Sequence, residues 1–141
     1  MNKELHFSSA SEEWETPQDL FDFYHSIYKF TLDAAASSIN FKCLCFLTKS
    51  VDSLKQKWIG NVWLNPPYGR GIGKWVQKAY ESSLEGATVV CLLPSRTDTK
   101  WFHDYCNKGD ICFIKGRLKF GGHKNNAPFP SMIVVFKGEP K

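Results

Sequence analysis

Apolar residues along this chain alternate between helical and strand spacing, and the alternation predicts most of its elements. Pro17, placed after Thr16 as a cap, starts a predicted helix over residues 17–28. Residues 30–34 read as a short buried strand, 35–40 as a turn of helix and 42–47 as a possible second strand. Residues 52–58 are helical or loop. Val62, Trp63 and Leu64 form a strand, and residues 72–83 a helix with Trp75, Val76, Ala79 and Tyr80 on one side. The continuous apolar run over 88–93 has the signature of a strand buried on both faces, closed by Pro94. Residues 99–106 form another helix, 111–114 are again apolar, and 117–120 are expected to pair with 131–136 around the loop between them. The result is an α/β sheet, mostly parallel with an antiparallel C-terminal edge hairpin. Ligands of such sheets bind at the carboxyl ends of the strands, where Asp33, Asn65 and residues 94–96 all fall.

Length and composition narrow the class. At 141 residues the chain is expected to form one domain over 14–141, preceded by a flexible polar arm over 1–13. No separate target-recognition domain is expected. No apolar run approaches the roughly 20 residues of a membrane span. The polar N-terminus carries no secretory signal, so a cytosolic chain is expected. Cys43, Cys45, Cys91, Cys106 and Cys112 form no C-x-x-C pair, which argues for a reduced compartment and against a zinc site. The net charge of +4 is unevenly spread: from Lys100 onward there are eight Lys or Arg against three Asp or Glu. A basic final third suits a polyanionic partner, and a solvated surface fits it equally.

The richest chemistry lies in Asn65-Pro66-Pro67-Tyr68, directly after Val62-Trp63-Leu64. Two prolines fix φ and remove two N–H donors, leaving a stiff loop with outward carbonyls. An exocyclic amine in such a pocket finds two acceptors for its hydrogens, the Asn65 side chain and the Pro66 carbonyl. Tyr68 supplies a flat face for a ring. The same tetrapeptide also suits a rigid turn with a packing tyrosine.

Further segments stand in a specific order around it. They are Trp14-Glu15-Thr16-Pro17, Leu32-Asp33-Ala34-Ala35, Asp52-Ser53-Leu54, Leu93-Pro94-Ser95-Arg96-Thr97-Asp98-Thr99, Lys115-Gly116-Arg117-Leu118-Lys119-Phe120 and Ala127-Pro128-Phe129-Pro130-Ser131. With the tetrapeptide, this set resembles the small phage and prophage DNA N6-adenine methyltransferases, the Dam-like family, over nearly the whole chain beyond its first dozen residues.

The resemblance implies a class I, Rossmann-like methyltransferase fold of minimal size. It implies transfer of a methyl group from S-adenosylmethionine to N6 of an adenine flipped out of DNA, in the cytoplasm of a bacterial host and near its nucleoid. No metal is needed. Asn65, Pro66, Pro67 and Tyr68 would form the catalytic loop. Thr16 and Pro17 would contact the methionine end of the cofactor, and Asp33, Ala34 and Ala35 its loop, with alanines where glycines are usual. Asp52 is either an acidic partner for the cofactor or a helix cap. Tyr68 would stack on the adenine, with Phe120 or Phe129 as the opposite wall or as core residues. Arg70, Arg96, Arg117, Lys119 and Lys124 are phosphate-contact candidates. Arg96 and Asp98 alternatively pair with each other, His103 is structural, and His123 touches DNA or faces solvent. The chain would act as a monomer or homodimer. Alternatives are a methyltransferase of RNA amines or protein glutamine, and a catalytically silent DNA-binding subunit.

Overall fold

A sheet with helices on both faces organises the molecule, which the computed structural model describes over residues 14–36, 42, 45–48 and 52–139. In chain order the elements are helix α1 (Gln18–Tyr28), strand β1 (Leu32–Asp33), a 3-10 turn (Ser53–Lys55), β2 (Asn61–Leu64), α2 (Ile72–Leu84) and β3 (Thr88–Pro94). Then come α3 (Lys100–Asp104), a second 3-10 turn (Cys106–Lys108), β4 (Asp110–Phe113) and β5 (Ser131–Phe136). Among the described residues the strands lie in the order β1-β2-β3-β5-β4. The β1–β2 and β2–β3 pairs are parallel, while β5 runs antiparallel to both β3 and β4. Four strands therefore point one way, and β5 alone is reversed.

Alternation of side chains across the sheet builds two cores. Val62, Leu64, Val89, Cys91, Leu93, Met132 and Val134 face α2, which contributes Ile72, Val76 and Ala79. Trp63, Val90, Leu92, Ile133 and Val135 face Phe21 of α1, together with Phe30, Phe120 and Ala127. Every residue of β5 is buried, as is β3 beyond Thr88. Burial of one such apolar side chain stabilises by roughly 1.5–3 kcal/mol. A slip of one residue would turn each of them to the opposite face, so the register is strongly specified.

Several expectations are corrected. Pro17 is the N-cap residue rather than the first helical one, and no side chain caps α1. Thr16 is instead drawn toward Asn65. The strand expected over 30–34 shortens to Leu32–Asp33. The apolar run near 111–114 supplies β4, which sits at the sheet edge with Cys112 and Phe113 exposed. Residues 117–120 form no strand, because β5 is already paired on both sides, by β3 and β4. That segment lies as a loop against the α1 face. Leu118 O accepts from Ala127 N at 2.7 Å, and Gly121 pairs with Glu15.

The arm over 1–13 lies outside the described residues, as do most of the helical turn expected at 35–40 and Cys43. Of the strand expected at 42–47, Phe46 forms a parallel bridge with Asp33. No helix among the described residues is long and apolar enough to cross a membrane.

Candidate active site

The carboxyl ends of β1, β2 and β3 open onto one edge of the sheet, and Asn65 follows β2 at its centre. Beyond the tetrapeptide the chain must turn sharply into α2. Gly69 makes that turn at φ 138°, in the region that favours glycine, and its carbonyl accepts from Ile72 N at 3.3 Å.

The Asn65 side chain is held from one end only. Its Nδ2 donates to the Trp14 carbonyl and to Thr16 Oγ1, the latter at 3.0 Å. Its Oδ1 is buried and takes no hydrogen bond from any described residue. Burying an acceptor without a partner costs about 1–3 kcal/mol. Two further buried hydroxyls at the same sheet edge, Ser95 Oγ and Ser131 Oγ, are likewise unpaired among the described residues. These orphaned polar atoms stand at the ends of β2, β3 and β5, where polar groups of a ligand would satisfy them.

Tyr68 is fully enclosed in the aromatic core. Its hydroxyl donates to Leu92 O at 3.2 Å, and burial pushes its phenol far above the ordinary tyrosine value, with the Arg96 charge opposing that rise. The ring has edge contacts with Phe129 at 5.5 Å and Phe120 at 6.4 Å between centroids. The structure thus brings together Tyr68, Phe120 and Phe129. It adds Trp14, which lies 5.4 Å from Phe120 and 5.0 Å from Phe129 and stacks on His123 at 4.3 Å. His123 is therefore half-buried against an indole rather than free in solvent. Phe120 is a core residue at 1% exposure, whereas Phe129 is only half-buried.

The residues expected to face a cofactor form a connected shell. Asp33 is buried, and desolvation raises its carboxyl above the usual aspartate value, while N–H bonds from Lys42 and Ala35 pull the other way. Those bonds are 2.8 Å and 3.3 Å long. Ser53 Oγ donates to Ala34 O at 2.5 Å, joining the Ala34 loop to the turn that carries Asp52. Asp52 itself is left-handed at φ 49° and makes no side-chain cap. Its exposed carboxylate lies 3.6 Å from Lys55 Nζ.

Arg70, Arg96, Arg117, Lys119 and Lys124 are exposed and make no ion pair with described residues. Lys100 and Lys137, by contrast, are paired with Asp104 and Asp110. The unpaired positive charge of the last third therefore gathers on the loop that holds Phe120. No Arg96–Asp98 bridge is present among the described residues. His103 Nε2 lies 2.8 Å from Thr97 O, a structural tie. No described cluster of His, Cys, Asp or Glu is suited to a metal ion.

Sequence reasoning missed Trp14 and Ser131 as site residues. Trp14 and Ser131 lie within quoted segments, but nothing local reveals that an indole at residue 14 reaches a loop more than a hundred positions on.

The comparisons with known proteins point one way. The family model described as DNA N-6-adenine-methyltransferase (Dam) matches residues 6–139. A protein of Escherichia phage T1 named DNA N-6-adenine-methyltransferase is 37% identical over 130 residues, covering 89% of this chain and 54% of that protein. The chain thus spans about half the length of that relative. A protein of the same name from Haemophilus phage HP1 is 33% identical over 152 aligned residues, covering 100% of this chain and 86% of its own length. The mixed sheet, with its reversed β5, has the Rossmann-like class I methyltransferase form. The chain belongs to the DNA N-6-adenine-methyltransferase (Dam) family.

Proposed function

We propose that this chain transfers a methyl group from S-adenosylmethionine to N6 of adenine in DNA. One observation carries the reading: Asn65 gives its amide hydrogens to Trp14 and Thr16 and keeps a buried Oδ1, unpaired among the described residues, at the end of β2. Adenine N6 is a poor nucleophile because its lone pair is shared with the ring. Asn65 Oδ1 and the Pro66 carbonyl would each accept one N6 hydrogen, drawing the lone pair out of conjugation. Positioning and fixed dipoles then supply most of the acceleration. No general base of unusual strength is required, since the extra proton leaves after transfer.

The residues around the strand ends fit the methyl donor. The Thr16 hydroxyl accepts from Asn65 and still has its own proton to give a carboxylate. Asp52 presents an exposed carboxylate on the turn that Ser53 fastens to Ala34, suited to an amine or ribose hydroxyl. The N–H groups of Ala34, Ala35 and Ala36 are already used by Trp63 O, Asp33 Oδ1 and Leu47 O. Ala34 and Ala35 would therefore contribute close approach rather than hydrogen bonds. When bound, S-adenosylmethionine supplies a methyl group already activated on a sulfonium.

An adenine inside a duplex must leave the stack to reach Asn65. Phe129, half-buried against Tyr68 and Trp14, would meet the extruded base. Arg117, Lys119 and Lys124 on the same loop would hold phosphates, with Arg70 and Arg96 nearer the tetrapeptide. The test is a radiolabelled methyl assay with DNA, RNA and protein offered in parallel, followed by nucleoside analysis. Label in N6-methyladenine from DNA is expected. Label confined to RNA or protein, or no binding of the methyl donor by calorimetry, would overturn the proposal.

A further inference from the structure

An asparagine amide is nearly symmetric in shape, so it presents its oxygen to a substrate only if something fixes which end faces where. Here the surroundings break the symmetry. The Trp14 carbonyl can only accept, so the Asn65 atom that faces it must be nitrogen. Thr16 Oγ1, on a residue only 4% exposed, takes a hydrogen of the same nitrogen at 3.0 Å. We propose that the Trp14–Thr16 segment is a positioning clamp for Asn65, with Thr16 as its side-chain jaw. By consuming the amide hydrogens, it holds Oδ1 toward the incoming amine. The consequence for rate rests on the methyl-transfer reading above; the geometry does not.

The clamp is itself fastened on several sides. Gly121 N donates to Glu15 O at 2.9 Å, which joins the two backbone segments, and the Glu15 side chain folds over Gly121. Glu15 lies 3.8 Å from Lys42 Nζ, which donates to Gln18 Oε1 at 2.8 Å. Lys42 N in turn donates to Asp33 at the end of β1. The short segment therefore ties the ends of β1 and β2 to the loop between β4 and β5.

Three substitutions separate this role from simple packing. Thr16→Val keeps the shape and removes the acceptor, while Thr16→Ser keeps the acceptor. Asn65→Asp provides an acceptor at least as good as an amide, yet sets an oxygen against the Trp14 carbonyl. If only an acceptor mattered, the aspartate would work.

The experiment follows the Asn65 side-chain NH2 in protein labelled with 15N-asparagine, its signals identified by their loss in Asn65→Ala. Slow hydrogen exchange is expected in the wild type. Exchange at least about tenfold faster is expected in Thr16→Val, as for loss of one hydrogen bond, with recovery in Thr16→Ser. This arm needs no DNA or methyl donor, so it decides the clamp even if the wild type methylates nothing, a failure that would fall on the functional reading alone. With saturating donor, kcat on adenine-containing DNA should fall about tenfold in Thr16→Val, with KM for DNA nearly unchanged, and at least about a hundredfold in Asn65→Asp. Unchanged exchange in Thr16→Val overturns the clamp, whether or not donor affinity falls. So does Asn65→Asp turnover within about tenfold of wild type, an arm that also decides the case if Thr16→Val fails to fold.

Discussion

Two loops meet over the proposed site, and they are built on opposite plans. The turn after β2 is four residues, two of them proline, with its asparagine held by bonds to Trp14 and Thr16 and its tyrosine fixed to Leu92. The connection between β4 and β5 is long and irregular, held by bonds such as Ala127 N to Leu118 O and Gly121 N to Glu15 O. It carries the unpaired basic residues and the half-buried Phe129. On the proposed function, chemistry that depends on sub-ångström placement would sit on the stiff element, and contact with a long, variable polymer would be left to the irregular one.

The largest expected effect breaks the comparison at its rigid end. Asn65→Ala should lower kcat by roughly 10²–10³-fold, the loss seen when a preorganised polar group is removed, with donor binding by calorimetry largely unchanged. Near-normal turnover would mean that the turn is not the chemical element. The two phenylalanines of the long loop sharpen the contrast. Phe120→Ala should cost about 3–5 kcal/mol of stability in a melting experiment, because that ring is core. Phe129→Ala should leave stability nearer wild type and weaken DNA use by about 1–3 kcal/mol, the worth of one stacked base. Equal stability losses would erase the distinction. Smaller still, Arg117→Gln and Lys119→Gln should each reduce the salt dependence of DNA binding by about one unit of logarithmic slope. An unaltered slope in both would remove the loop from the phosphate contacts.

The smallest effect concerns pH. Burial raises the Asp33 carboxyl above its unfolded value, so the folded state holds that proton more tightly. Its contribution to stability is fully present below the unfolded aspartate value and is lost as pH rises through the raised folded one. Melting curves across that window should show this decline. Asp33→Asn should flatten it, although the amide can accept only one of the two N–H groups now bound.

Much of this arrangement was legible in residue order. α2 and β3 were readable because their apolar spacing leaves little choice: Val76 and Ala79 share a helix face, and the run ending at Leu93 has no polar break. The tetrapeptide was readable because proline restricts the backbone by itself. Residues 117–120 were misread for a physical reason. Leu118 and Phe120 alternate inward as they would on a strand, yet a strand also needs a free edge, and β4 had already taken that of β5. The clamp on Asn65 was illegible because it joins positions about fifty apart through one carbonyl and one hydroxyl.

The reversed strand β5 has a consequence for how the molecule assembles. It follows β4 in the chain, yet it lies between β3 and β4 and is buried along its whole length. Until it emerges from the ribosome, β3 offers a bare, apolar edge to any neighbouring chain. Folding must wait for these sequence-distant pairings, which makes it slow and leaves the nascent chain open to aggregation. A fragment stopped before Ser131 should accumulate in inclusion bodies, even though it contains the intact tetrapeptide.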